Sequence, residues 1–209
     1  VGGTTHARGN VIEDNYAWGL GSIVALTTAP LFEKNTVAEN NGAGIRCFSQ
    51  CTARMINCMV TRNTDTGILC GYGSAPEIIG CLVSENENSG LYFSLSFAVV
   101  VNSTISENTA VQGGGVFCSG ADPVFLNTIL WGNSAGNGDQ LYLHLNTSTS
   151  VGPDFFFCNV EGGVEAFGLN TGVSYGGQFE DNIDVDPCFE VLGAHSYALT
   201  EQSYCVNAG

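Results

Sequence analysis

A nine-residue string recurs down this chain, and it leaves few folds open. FEKNTVAEN (32–40), MINCMVTRN (55–63), IIGCLVSEN (78–86), VVNSTISEN (100–108) and FLNTILWGN (125–133) all end in asparagine, and GNVIEDN ends in an earlier one. These six, Asn15, Asn40, Asn63, Asn86, Asn108 and Asn133, are spaced 25, 23, 23, 22 and 25 residues apart. Three places before each stands an aliphatic residue: Ile12, Val37, Val60, Val83, Ile105 and Leu130. A second string, glycine followed by alternating apolar residues, opens the units as GIRC (44–47), GILC (67–70), GLYF (90–93) and GVFC (115–118). Self-similarity at this period is the mark of a solenoid.

Within each unit the apolar residues alternate with period two, and Gly, Pro and Asn break the runs before any helical period develops. Units of this length without a helix fit an all-β, single-stranded right-handed parallel β-helix of about seven coils. Each coil leaves its apolar face half covered, and the next coil, about 4.8 Å away, completes it. Equivalent residues then stack in columns. Ile45, Ile68, Leu91 and Val116 form one inward column, and Cys47, Cys70, Phe93 and Cys118 another. The recurrent asparagines form a structural ladder, each amide serving the turn backbone and the amide of the next coil. Coils end at Asn15, Asn41, Asn63, Asn86, Asn108 and Asn133, and a seventh runs from QLYLHL (140–145) to FFFCNVEGG (155–163). Beyond Gly163 the period is lost. Residues 1–163 are therefore expected to be coils, and 164–209 an irregular cap of the same domain that covers the last open edge.

These units, with GGGVFCSGADPVFLNTILWGN (113–133) as the fullest case, resemble the right-handed parallel β-helix repeat proteins of bacteria, a group that includes the chlamydial polymorphic outer-membrane protein type. The end of the chain carries the likeness further. DNIDVDPCFE (181–190) and SYALTEQSYCVNAG (196–209) match a pattern of the form N-I-D-x-D-P-x-F, then Y-x-L, then S-x-C-x-x-A-G. Asn182, Ile183, Asp184, Asp186, Pro187, Phe189, Tyr197, Leu199, Ser203, Cys205, Ala208 and Gly209 carry it, while Cys188 stands where an aliphatic residue is usual. The resemblance implies a secreted or cell-surface protein, often one segment of a longer chain. It implies no single activity, since such a fold hosts adhesins and polysaccharide-active enzymes alike.

Charge narrows the partners. Twenty acids face five bases, and after Arg62 there are sixteen acids and no Lys or Arg. Nucleic acid is excluded, because phosphate neutralisation needs Lys and Arg. No run approaches the ~18 apolar residues of a membrane-spanning helix, so no membrane insertion by this segment is expected. The remaining partners are a second copy of the chain, in an oligomer or filament, and surface glycans. No cofactor is implied, with one opening: Asp181, Asp184 and Asp186 have oxygen ligands of the kind calcium takes, and a solvated acidic loop is the plainer reading.

Cys47, Cys58, Cys70, Cys81 and Cys118 read as small buried hydrophobes. Cys188 and Cys205 both fall in the cap, where an extracellular chain has use for a staple, so a Cys188–Cys205 disulfide is an open expectation. Of the surface features, an outward column one residue before the cysteine column runs Arg46, Leu69, Tyr92, Phe117, Tyr142. Tyr92, Phe117 and Tyr142 form either a platform for the apolar faces of sugars or a ladder that steadies neighbouring strands. Glu85 and Glu107 occupy one position in consecutive coils, at a turn where a solvated row is expected rather than a glycosidase pair. Arg62 is expected to lie between Glu39 and Glu85. No catalytic signature of a lyase or glycosidase stands out. The chain reads as an extracellular structural or adhesive module, with carbohydrate binding or processing on the aromatic face as the alternative.

Overall fold

The computed structural model describes residues 6–15, 23–26, 29–145, 151–190 and 197–206; Ala208 and Gly209 of the terminal motif lie outside them. Three parallel sheets run the length of a β-helix. Sheet A has eight strands, from His6–Arg8 through Leu31–Glu33, Arg54–Ile56, Glu77–Ile79, Val99–Val101, Val124–Leu126 and Asp154–Phe156 to Phe179–Glu180. Sheet B has seven, from Val11–Glu13 to Asn159–Val160, and sheet C seven, from Ile23–Leu26 to Gly168–Leu169. Register is unshifted from coil to coil through the middle, as in Ile45 opposite Ile68, Ile68 opposite Leu91 and Leu91 opposite Val116.

The core is a set of stacked columns. The central residue of each sheet A strand points inward (Phe32, Met55, Ile78, Val100, Phe125, Phe155), as does that of each sheet B strand (Val37, Val60, Val83, Ile105, Leu130, Val160), and all are buried. Both inward columns of sheet C form as the repeat predicts, and each gains one member, Leu141 and Leu143. The glycine that opens each unit has a steric cause. A Cβ on Gly67 would stand 2.6 Å from Val83 Cγ1 and 2.7 Å from the Gly90 carbonyl, so only glycine lets the chain pass over its neighbours there.

Corners are single residues in the left-handed region. Between sheets A and B they are Lys34, Asn57, Gly80, Asn102, Asn127, Phe157 and Asp181. After sheet B they are Asp14, Glu39, Arg62, Glu85, Glu107 and Gly132. The residue after each second corner is the ladder asparagine. Asn63 donates from Nδ2 to Asn86 Oδ1 at 2.9 Å and to the Val37 carbonyl at 3.1 Å, and its own Oδ1 accepts from the backbone and side chain of Asn40. The pattern holds from Asn15 to Asn133, where Gln140 Oε1 takes the last amide at 2.7 Å. A second set of inward polar groups follows the first corner. Asn35, Cys58, Cys81, Ser103 and Thr128 each donate to a carbonyl of the preceding sheet A strand, the thiols at 3.4 Å. Within the Cys58–Cys81 pair the interaction between the two sulfurs lowers the Cys58 pKa and, with burial, raises that of Cys81.

The segment after Gly163 differs from its expectation. It does not become irregular at once but adds a further rung: Gly168 pairs with Tyr142, Phe179 with Phe155, and Ile183 bridges to Asn159. Asn182 repeats the role of Asn35, its Oδ1 accepting from the Cys158 amide and its Nδ2 donating to the Phe155 carbonyl. The strands of this rung are only two residues long, too short to show alternation. After Val185 the chain leaves the solenoid axis, and Phe189 meets Leu199 in an antiparallel bridge. No described helix is long and apolar enough to cross a membrane.

Candidate functional site

The outward residues of sheet C stack in the expected order, but they do not make a platform of three rings. Tyr92 and Phe117 lie parallel, with centroids 4.6 Å apart and planes 6° apart. Their faces are therefore spent on each other and their edges point outward. Tyr142 is 2% exposed, because its ring lies over Gly168 of the next rung, where a Cβ would stand 2.7 Å from Tyr142 Cδ2. A register shift after Cys118 brings His144 in beside it, so that Tyr142 and His144 lie 5.6 and 5.7 Å from Phe117. The row is a cross-strand ladder of Tyr92, Phe117 and Tyr142, with His144 at its end. Burial and the nearby Tyr72 phenol raise the Tyr92 pKa.

The acidic stretch near the end also resolves into structural roles. Asp184 Oδ1 accepts from the Gly162 amide at 3.0 Å, and Asp186 Oδ1 from the Cys188 amide at 2.8 Å. Asp181 is an exposed corner residue. The three carboxylates do not converge, and among the described residues no three His, Cys, Asp or Glu side chains are placed to hold a metal ion. The Cys188–Cys205 disulfide is likewise absent: both are free thiols. Cys188 Sγ faces the Asp186 carbonyl, whereas Cys205 Sγ accepts from Asn159 Nδ2 at 3.0 Å, so the two sulfurs serve different contacts. The buried cysteines are core residues as expected, and burial pushes the Cys158 thiol up to about 11.

Two features escape the sequence reading. The first is the outer face of sheet A. One outward column runs Arg8, Glu33, Ile56, Ile79, Val101, Leu126, Phe156, Glu180, and the other His6, Leu31, Arg54, Glu77, Val99, Val124, Asp154. The seven apolar residues from Ile56 to Phe156 that fill its middle are half-buried and contiguous. At one end lie Arg8 and Arg54, paired with Glu33 at 3.5 Å and Glu77 at 2.6 Å, and at the other the acids Asp154 and Glu180. Alternation alone conceals such a face, because FLNTILWGN is apolar on both sides of its strands.

The second is a clasp. Tyr197 Oη lies 3.0 Å from Glu107 Oε2 and 3.2 Å from Glu85 Oε1, contacts that span 90 and 112 residues of chain. Burial, the Glu107 and Glu85 carboxylates and a hydrogen bond to Glu107 raise the Tyr197 phenol well above its usual value, against a lowering from Ser84. Glu85 and Glu107 thus hold the tail rather than forming an open acidic row. Arg62 pairs with Glu39 at 2.8 Å, one of the two acids expected beside it. Between the clasped tail and the first corner lies a cavity of about 250 Å³, with Asn102, Asn127 and Phe157 on the corner side and Tyr197 and Leu199 on the tail side.

The comparisons agree with this architecture. Among curated proteins no sequence matches the chain. Of solved structures, the A-module of the mannuronan C-5 epimerase AlgE4 from Azotobacter vinelandii is similar, with a TM-score of 0.61 at 19% identity. The likeness covers 88% of this chain and 53% of that one, so the chain spans about half the length of the epimerase module, and at this identity it speaks for the fold alone. The profile of the family described as right handed beta helix region matches residues 2–155. The chain belongs to the right-handed β-helix family.

Proposed function

We propose that this chain is an extracellular, non-enzymatic structural or adhesive module that associates with a second copy of itself through the outer face of sheet A. The observation that carries the reading is the contiguous apolar middle of that face, Ile56, Ile79, Val99, Val101, Val124, Leu126 and Phe156. A continuous half-exposed apolar surface of this kind is suited to contact with another macromolecule. Its ends favour an antiparallel second copy. That arrangement sets Asp154 and Glu180 of one chain against the mixed-charge end of the other, where Arg8 and Arg54 pair with Glu33 and Glu77, whereas parallel pairing would stack acid on acid. The extracellular placement rests on the resemblance of the terminal motif.

A polyuronate-processing role, the activity named for the epimerase module, is less well supported. Holding uronate carboxylates calls for cationic groups, and here Arg46, Arg54 and Arg62 are engaged with Asp65, Glu77 and Glu39. Glu85 and Glu107, acids in equivalent positions of consecutive coils, are occupied by Tyr197.

Sedimentation velocity across a dilution series tests the proposal. The wild-type chain is expected to sediment as a dimer that dissociates on dilution. Ile79→Asp combined with Val101→Asp should abolish the dimer, and Met59→Asp on sheet B should leave it intact. A wild-type monomer at every concentration, or a dimer indifferent to the sheet A pair, overturns it.

A further inference from the structure

We infer that the cavity beneath the tail, walled by Asn102, Asn127 and Phe157 on one side and Tyr197 and Leu199 on the other, binds one neutral sugar ring. The inference does not rest on self-association: the cavity opens beside sheet A, and its lining includes none of the seven apolar residues of that face.

The corner between sheets A and B demands a left-handed residue, and most coils meet it cheaply, with Gly9, Asn57, Gly80, Asn102, Asn127 and Asp181. In the seventh strand's coil the corner is Phe157, with φ 55 and 46% of its surface exposed. A bulky aromatic in this region is a backbone outlier, and such strain is retained where the surroundings or function hold it. Exposed as it is, the Phe157 ring makes little of that cost back in core packing. Tyr72 and Leu95 take the same conformation and are exposed too, so what sets Phe157 apart is its place in the cavity lining.

The neighbouring corners complete the chemistry. Asn102 and Asn127 precede Phe157 in the same column and also line the cavity, and neither side chain has a hydrogen-bond partner among the described residues. Two carboxamides beside an aromatic face suit a pyranose: the amides both donate and accept toward vicinal hydroxyls, and the ring covers the apolar C–H face. The opposite wall adds Leu199 and the Tyr197 ring. At about 250 Å³ the space falls below the ~300 Å³ where pockets for drug-sized ligands begin, which fits a single ring and not a chain segment.

Charge sets the class of sugar. Among the described residues no charged side chain lines the cavity, and the acids Glu85 and Glu107 grip Tyr197 from the tail side. A lining without a cation gives a uronate carboxylate no counter-charge, with Glu85 and Glu107 close behind Tyr197, and leaves neutral sugars as the ligand class.

Saturation-transfer NMR on the full chain, with glucose, galactose, mannose and N-acetylglucosamine each alone and galacturonate for comparison, tests the inference. At least one neutral sugar should receive saturation, and galacturonate should receive none. Phe157→Gly and Asn127→Gly should each weaken the binding by about tenfold or more. Glycine is the residue best suited to both backbone positions, so both variants should melt no lower than the wild type, and lost binding is then not lost folding. The inference fails if no neutral sugar is saturated, if binding survives both substitutions, or if galacturonate binds as well as the neutral sugars.

Discussion

The rungs from Gly44 to Asn133 and the tail after Val185 are held together in opposite ways. In the rungs every contact recurs. Asn63, Asn86 and Asn108 each donate to a sheet B carbonyl, at 3.1, 3.1 and 3.0 Å, and to the next ladder oxygen, at 2.9, 2.8 and 2.9 Å. In the tail each contact is used once: Val185 exchanges two hydrogen bonds with Asn159, and Tyr197 reaches back to Glu85 and Glu107. Repeated contacts couple each coil to its neighbours, so stability is shared along the stack. Single contacts stabilise only the segment that makes them, and such segments open first.

The largest effect expected from this difference lies in the core of the rungs. Phe125 is fully buried, with Phe93 at 6.4 Å on one side and Phe155 stacked at 4.7 Å on the other. Phe125→Ala should cost about 3–5 kcal/mol in chemical denaturation. A loss below about 1 kcal/mol would mean that the columns do not carry the fold. The ladder offers a sharper comparison within itself. Asn86→Ala strands buried donors and acceptors in three successive coils and should cost roughly 2–3 kcal/mol. Asn15→Ala, at the exposed end, should cost less than about 1 kcal/mol. Equal costs would show that position in the stack does not matter.

The smallest global effect belongs to the clasp. Tyr197→Phe removes the two phenol contacts and should lower overall stability by about 1 kcal/mol or less. Its pH signature has a definite sign. The folded state favours the neutral phenol, so the contribution of Tyr197 is complete below the ordinary value of 10.0 and is lost as pH rises beyond it. In a phenolate absorbance titration Tyr197 and Tyr175, both raised first by burial, should ionise late. Tyr197→Phe should remove one of those late groups. An unchanged late phase would detach the tail from Glu85 and Glu107.

What was legible in the sequence follows the same division. The ladder asparagines, the inward columns and the coil-to-coil register could be read because each position is restated every 22 to 25 residues. The last rung was missed because its strands shrink to pairs such as Phe179–Glu180, although Asn182 stands 24 residues after Cys158 in the same structural role. Tyr142 was placed in the correct column but with the wrong exposure, since the ring that covers a column depends on the residue one rung further on, here Gly168. The apolar face of sheet A was hidden by strands that are apolar on both sides. The Tyr197 clasp left no signal at all, because a contact across 112 residues repeats nowhere else.

Amide hydrogen exchange, followed residue by residue in the wild type and in Tyr197→Phe, tests the division between frame and tail most directly. The ladder and strand amides from Ile45 to Leu130 should exchange together and slowly, through opening of the stack, while those of residues 185–190 and 197–206 exchange earlier. Tyr197→Phe should speed only the second group. Tail amides as protected as the rungs, or rung amides accelerated by the loss of one phenol, would contradict it.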